Sequence, residues 1–421
     1  MSQPDSRRAT YRQSQGDSFP TSLRLELGDN QLIYEKQSFA APGRPPEGLR
    51  YGENPGQEAA LYRLVSGRAQ FGPTTYLGPE AAIVSALGET GLETVGGKSP
   101  SMTNFTDLDA GLNLLRWLER PAAVIIKHNN PSGAAQGGSL ESCFQRAYQG
   151  DELSAFGGVV VFNRPVSLDC ARLVEELYVE VVAAPDFEAG SLASLAKRPD
   201  IRVFKLPNFD KLTSLGRSIQ IKSLLDGGLI LHQSLVNAIR TPADFQPARV
   251  ERQGQIYETS RAPTATEYDD LIFGWAVLNA VSSNSVVVVK DQATVAIAGG
   301  QQSRLGVVQL AINKAYQNYC QSRSRELHQT PFWQIARNAE PELAQAIHEE
   351  AKNRRAGLLG ASLVSDGFFP FRDAVLEALS EGISALAHPG GSLRDWDSIE
   401  ACNANQPPAA MVFTGQRAFK H

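Results

Sequence analysis

Cysteine is scarce in this chain, with four among 421 residues. Cys143, Cys170, Cys320 and Cys402 lie far apart, form no CxxC pair and have no histidine cluster beside them. Such spacing supports neither a disulfide framework nor a zinc site, and it reads as four buried thiols. Long apolar runs are missing too. None approaches the roughly 20 residues that a membrane-spanning helix needs. The first residues are polar and hold no apolar signal core, so the expected location is the cytoplasm. An excess of positive charge is also absent: the formal net charge is −5, which offers no electrostatic footprint for nucleic acid or a membrane surface.

What remains is an ordinary globular composition, 42% hydrophobic and 20% charged, long enough for two or three domain-sized units. Residues 1–48 are rich in Ser, Gln, Arg and Pro and read as a polar extension, with a weakly alternating strand or hairpin over Ser22 to Tyr34. From 49 to 206 strands and helices alternate, which predicts a mostly parallel sheet. Thr106 to Asp109 resembles a capping box, and Leu108, Leu112, Leu115 and Leu118 recur at helical spacing. Residues 207–265 read as a connecting segment with helical pieces. A second alternating unit spans 266–421. Within it Ser285–Lys290 and Thr294–Ala298 suggest a hairpin, and Gly299 to Arg304 suggests a loop opening a helix.

The richest local signal is Lys127-His128-Asn129-Asn130-Pro131-Ser132-Gly133, directly after the apolar run Ala122 to Ile126. A buried strand followed by a Pro/Gly turn would deliver a fixed cation and a titratable imidazole to a strand-end loop, where α/β sheets bind ligands. That pair suits transfer of an acyl-type carbon to a weak amine. On local chemistry alone, a solvated Lys-His surface pair fits as well.

Other strings narrow the choice. They are Leu49-Arg50-Tyr51-Gly52-Glu53-Asn54-Pro55, Ser154 to Gly158, Glu180-Val181-Val182 with Ala184 to Phe187, and Ser283 to Val286. Gly300 to Arg304, Ser365 to Asp373 and Arg417 to His421 complete the set. Together with Lys127–Gly133, and in this order, they resemble the transformylase part of the bifunctional purine biosynthesis family over residues 49–421. The resemblance implies two cytidine-deaminase-like α/β/α units and a homodimer with sites shared between subunits. It implies formyl transfer from 10-formyltetrahydrofolate, as cosubstrate, to the 5-amino group of the ribonucleotide AICAR, the penultimate step of IMP synthesis. No catalytic metal is expected, and the zinc-deaminase signature is absent. The family's cyclohydrolase domain needs far more than the 48 residues before Leu49, so a stand-alone transformylase is expected.

By the same resemblance His128 is the general base, Lys127 stabilises the oxyanion or protonates the departing folate nitrogen, and Asn284 orients the formyl group and imidazole. Arg50, Tyr51 and Arg417 correspond to phosphate ligands and Glu180 to a ribose ligand. Asn104, Phe156, Gly157, Ser303 and Arg304 correspond to positions around the base and its carboxamide. Phe368, Pro370, Phe371 and Asp373 match the folate element, with Asp373 as the polar contact and Phe369 structural. His421 falls near the site, whereas His232, His328, His348 and His388 read as surface residues. The chain departs from the family at Gly56, where a histidine is usual, and at Ser132, Met102 and Ser282. Gly56 keeps open a folate-dependent transferase on a related amine; a non-catalytic nucleotide-binding homologue is a further alternative, against which the intact Lys127, His128 and Asn284 argue. Restoring the histidine is expected to leave or raise activity.

Overall fold

The structure, a computed structural model, describes residues 16–421 apart from 41, 42, 44, 73, 77, 89, 90 and 339. The first part of the polar extension, residues 1–15, lies outside the described residues. The backbone packs as two compact units that interleave along the chain. One takes the residues up to Arg116 together with Gly157–Val236, and the other takes Trp117–Phe156 with Asn237–His421.

In the first unit the strands Val159–Phe162, Val181–Ala184 and Arg202–Lys205 pair in parallel, and Glu93–Gly96 closes the edge antiparallel. Their Val and Ala side chains are buried throughout, as expected for strands covered on both faces. The helix Met102–Leu115 begins at Ser101, whose hydroxyl accepts from the Asn104 amide N–H, while Asn104 reaches back to the Ser101 N–H. The start is therefore five residues earlier than the Thr106 signal suggested. Leu108, Leu112 and Leu115 do face the core, and Leu118 lies beyond the helix end. A small antiparallel sheet, Ser22–Leu27, Asn30–Gln37 and Leu61–Ser66, surrounds Leu32, Ala69 and Tyr76.

In the second unit the strand order is Gln246–Pro247, Ala410–Phe413, Ala385–His388, Ser362–Ser365, Val286–Lys290, Ala293–Ala298, Asn130–Gln136 and Ala122–Lys127. Only the neighbours among Ser362–Ser365, Ala385–His388 and Ala410–Phe413 are parallel. The sheet is mixed. Within 49–206 the expectation of a mostly parallel arrangement is corrected at Ala122–Lys127 with Asn130–Gln136, where a two-residue turn forces antiparallel pairing. The hairpin expected over 285–298 is present, Val286–Lys290 pairing antiparallel with Ala293–Ala298. Val286, Val288, Ala296 and Ala298 meet Val307, Val308 and Ala311 of the helix Arg304–His328, which Ser303 caps. Each such Val or Leu contributes about 1.5–3 kcal/mol on burial.

The Pro/Gly reading of residues 131–133 is also corrected. The turn is His128-Asn129, and Pro131, Ser132 and Gly133 belong to the strand Asn130–Gln136. A register shift between Ile125 and Ile126 accommodates Pro131. Gly133 is needed for close packing, because a Cβ there would lie 1.8 Å from the Ala147 carbonyl of the helix Leu140–Gln149.

The segment 207–265 holds two hairpins, Ile219–Ser223 with Leu229–Gln233 and Arg249–Arg252 with Gln255–Glu258, and only short 3-10 turns where helical pieces were expected. All four cysteines are buried and free. His388 is wholly buried between the rings of Phe369 and Phe413, contrary to the surface reading. Its Nδ1 accepts from the Gly390 N–H, and burial, with the nearby Arg304 charge, pushes its pKa down to about 3. No helix among the described residues is long and apolar enough to cross a membrane.

Candidate active site

The expected site residues fall into two groups, one in each unit. In the first unit, two backbone bonds hold Arg50 and Tyr51: the Arg50 N–H donates to the Pro100 carbonyl, and the Met102 N–H to the Tyr51 carbonyl. The Arg50 guanidinium lies 5.0 Å from the Tyr51 ring centre. Glu180, just before the strand Val181–Ala184, accepts from Asn104 Nδ2 at 2.8 Å and pairs with Arg202 at 3.3 Å. Asn104 therefore serves both as helix cap and as brace for Glu180. Arg50, Tyr51, Glu180 and Arg202 line a cavity of about 570 Å³ that also exposes Lys98 and Lys197. Gly157 donates its N–H to the carbonyl of Tyr178, another residue lining this cavity, at 2.7 Å.

Arg202 was not foreseen. It is buried close to Arg50, and burial followed by the Arg50 charge brings its pKa down to about 10. Two buried guanidinium groups beside one carboxylate leave the cavity cationic, a setting that favours an anionic ligand such as a phosphate. The available signal was a charged side chain inside the apolar strand stretch Ile201-Arg202-Val203-Phe204.

The second unit holds Lys127, His128 and Asn284. Lys127 ends its strand and donates through Nζ to the Phe156 carbonyl at 2.6 Å, while the Phe156 ring is largely exposed. His128 and Asn129 both have left-handed backbones, with φ of 53° and 61°. These are the conformations of a type I′ hairpin turn, and they set the His128 side chain in solvent. Asn130 holds this turn on one side: its Nδ2 donates to the His128 carbonyl at 3.1 Å, and its Oδ1 accepts from the Ser282 N–H at 2.8 Å.

Asn284 follows Ser282 by two residues. Its Nδ2 donates to the Gln301 carbonyl at 2.8 Å, and its Oδ1 accepts from Arg304 Nη2 at 2.9 Å. Arg304 in turn pairs with the fully buried Asp366 at 2.6 Å, and Ser283 Oγ donates to the other Asp366 oxygen at 2.6 Å. Asp366, unassigned in the sequence reading, thus fixes the Arg304 fork that holds Asn284. Ser303 Oγ accepts from the Gly306 N–H as a helix cap.

The folate-type residues separate by burial. Phe369 is buried in the core, Phe371 is exposed with Arg394 over its ring, and Phe368 and Pro370 are half-buried. Asp373 is exposed and its Oδ1 accepts from the Ala374 N–H. Arg417 is exposed, its guanidinium 5.5 Å from the Phe368 ring centre, and His421 is exposed beyond Phe419. Gly56 has φ of +97°, a backbone that a histidine adopts only with strain, although an added Cβ would meet no atom within 4 Å. The expectation that histidine is harmless there therefore needs a rebuilt loop. Among the described residues no group of three or more His, Cys, Asp or Glu could hold a metal ion.

These features define a mixed α/β protein whose first unit carries a cationic cavity and whose second unit presents a half-buried Lys127 and an exposed His128 at a turn tied through Asn130 to the loop that bears Asn284. The chain belongs to the AICARFT/IMPCHase bienzyme family, whose model matches residues 16–314. It is 36% identical over 391 residues to the bifunctional purine biosynthesis protein PurH of Persephonella marina, covering 91% of this chain and 61% of that protein. The same-named proteins of Caldicellulosiruptor saccharolyticus and a Cyanothece species are 34% and 35% identical, over 89% of this chain and 59% of theirs. The chain thus spans about three fifths of the length of these curated relatives.

Proposed function

We propose that this protein transfers the formyl group of 10-formyltetrahydrofolate to the 5-amino group of AICAR, giving FAICAR and tetrahydrofolate in the cytoplasm. The observation that carries the reading is the His128 imidazole, exposed on a strained turn next to Lys127 and tied through Asn130 to the loop bearing Asn284. The AICAR amine is a weak nucleophile, because its lone pair is delocalised into the ring and carboxamide. His128 takes the amine proton as nitrogen attacks the formyl carbon and the new C–N bond forms. Lys127 offsets the charge on the tetrahedral oxygen, and Asn284 orients the formyl group. The bond from carbon to the folate nitrogen then breaks, and a proton passes to that nitrogen.

In this reading Arg50, Tyr51 and Arg417 hold phosphate, and Glu180 holds the ribose hydroxyls. Asn104, Phe156, Gly157, Ser303 and Arg304 surround the base. Phe368, Pro370, Phe371 and Asp373 take the pterin. The division into cytidine-deaminase-like units at 49–206 and 266–421, joined by 207–265, belongs to the same proposal.

A homodimer belongs to it as well. On the hairpin Ile219–Ser223 with Leu229–Gln233, Ile221, Leu229 and Leu231 share one face and are uncovered. The tip adds Leu224 and a fully exposed Leu225. Several hundred Å² of such surface is more than a monomer ordinarily leaves in water, and two copies meeting here approach the area of a stable interface. Sedimentation of Leu229→Ser/Leu231→Ser is expected to show a dimer weakened at least about tenfold, equivalent to ~1.4 kcal/mol. An unchanged dimer removes this face from the interface.

The activity is tested by mixing the protein with both substrates and following tetrahydrofolate absorbance. Turnover with AICAR supports the proposal. Turnover only with a different amine would select the related-amine alternative that Gly56 favours. Nucleotide binding without turnover would leave a non-catalytic homologue.

A further inference from the structure

We propose that Lys420 is a positioning residue for His128, its ammonium pinning the His128-Asn129 turn to the loop that leads into Asn284. Only the kinetic half of the test rests on the formyl-transfer reading.

Two successive non-glycine residues with positive φ carry backbone strain, and they persist where the surroundings over-determine them. In this turn the surroundings act through the carbonyl groups. Asn130 Nδ2 holds the His128 carbonyl, and Lys420 Nζ donates to the Asn129 carbonyl at 2.7 Å. The same ammonium donates to the Ala280 carbonyl at 2.8 Å, just past the end of the helix Ala265–Leu278. A cation there also meets the negative end of the helix dipole.

Lys420 is itself held. The Ser283 N–H donates to the Lys420 carbonyl at 2.9 Å, and the Lys420 N–H donates to Ser283 Oγ at 3.0 Å. Ser283 Oγ is the hydroxyl that bonds Asp366. A line of contacts therefore runs from Asp366 through Ser283 and Lys420 to the turn that presents His128. The ammonium joins the 128–129 turn to the helix end, while the Lys420 backbone holds Ser283 in the loop that bears Asn284. Its removal loosens the imidazole relative to Asn284 without touching a group that contacts substrate.

Loss of alignment by about 1 Å can lower a rate about 100-fold. Lys420→Met is therefore expected to lower kcat about 100-fold while KM for AICAR stays within about threefold. Lys420→Arg, which keeps the cation, regains part of the loss. The sharper variant is Lys420→Cys treated with 2-bromoethylamine, which rebuilds an ammonium of nearly the same length. The four native thiols are buried, so alkylation falls on the new one. Recovery of most of kcat on alkylation supports the proposal, since a fold damaged in general would not recover.

Amide hydrogen exchange across 127–136 supplies a readout independent of turnover, and faster exchange is expected in Lys420→Met. If that appears while the unmutated protein transfers no formyl group, the proposed function fails and the clamp stands. Unchanged kcat and unchanged exchange in Lys420→Met overturn the clamp, as does a kcat loss that alkylation leaves untouched.

Discussion

Two turns in the second unit have the same backbone and differ in how their amides are fastened. His128-Asn129 and Asp291-Gln292 both join antiparallel strands with two left-handed residues, at φ of 53° and 61° in one and 53° and 57° in the other. At 291–292 the amide N–H groups are caught: buried Asp270 accepts from Gln292 at 2.7 Å and from Asp291 at 3.1 Å. Arg146 then takes the Asp291 carbonyl at 2.8 Å. At 128–129 the carbonyls are caught by Asn130 and Lys420. Both turns have a cation on a carbonyl, and at 291–292 the Gln136 N–H also takes the Gln292 carbonyl at 3.0 Å. What sets 291–292 apart is the carboxylate under its amides, and what sets 128–129 apart is the exposed imidazole it carries. Local conformation alone does not distinguish a structural corner from a mount for the proposed base; the groups around it do.

The comparison breaks most visibly if the two fastenings prove interchangeable in their effects. Lys420→Met should strike turnover, by the 100-fold argued above, and Asp270→Asn should strike stability alone. The asparagine loses one of two buried N–H contacts, a destabilisation of about 1–2 kcal/mol at pH 7 with kcat unchanged. Chemical denaturation and steady-state rates on one preparation check both halves.

The pH dependence sharpens the contrast. Burial raises the Asp270 pKa to about 6, against the opposing N–H contacts of Gln292 and Asp291. A carboxyl raised above its unfolded value, about 3.9, contributes stability that is complete below that value and lost as pH rises to about 6. The stability gap between the unmutated protein and Asp270→Asn is therefore widest near pH 4 and narrows towards pH 7. A gap that widens instead reverses the sign of the Asp270 shift. The smallest effect is expected from Asp291→Asn. Asparagine suits a left-handed turn position and removes a negative charge facing Asp270, so stability should rise by about 0.5 kcal/mol with kcat unaltered.

Strands were legible where burial on both faces wrote an uninterrupted apolar run, as in Ala122 to Ile126 and Val286 to Val289. The Asp291-Gln292 hairpin was legible for the same reason. The turn at 128–129 was misplaced because Pro131 and Gly133 carry the usual marks of a loop. Here a bulge absorbs the proline, and the glycine makes room for the Ala147 carbonyl. Lys127 and His128 stood out because they end an apolar run. Their support did not, because Lys420 meets Asn129 across 291 positions and Arg202 meets Glu180 across 22. Asp270 looked like any polar residue in a helix until the packing buried it.

The most direct measurement is single-turnover formyl transfer by His128→Gly, with saturating AICAR and 10-formyltetrahydrofolate. Glycine accepts the positive φ without strain, so the turn survives and only the imidazole is lost. The account predicts transfer slower by about 10²–10⁴-fold, with AICAR still bound and with rate restored in proportion to added imidazole. Transfer at the unmutated rate would show that this side chain moves no proton in the reaction.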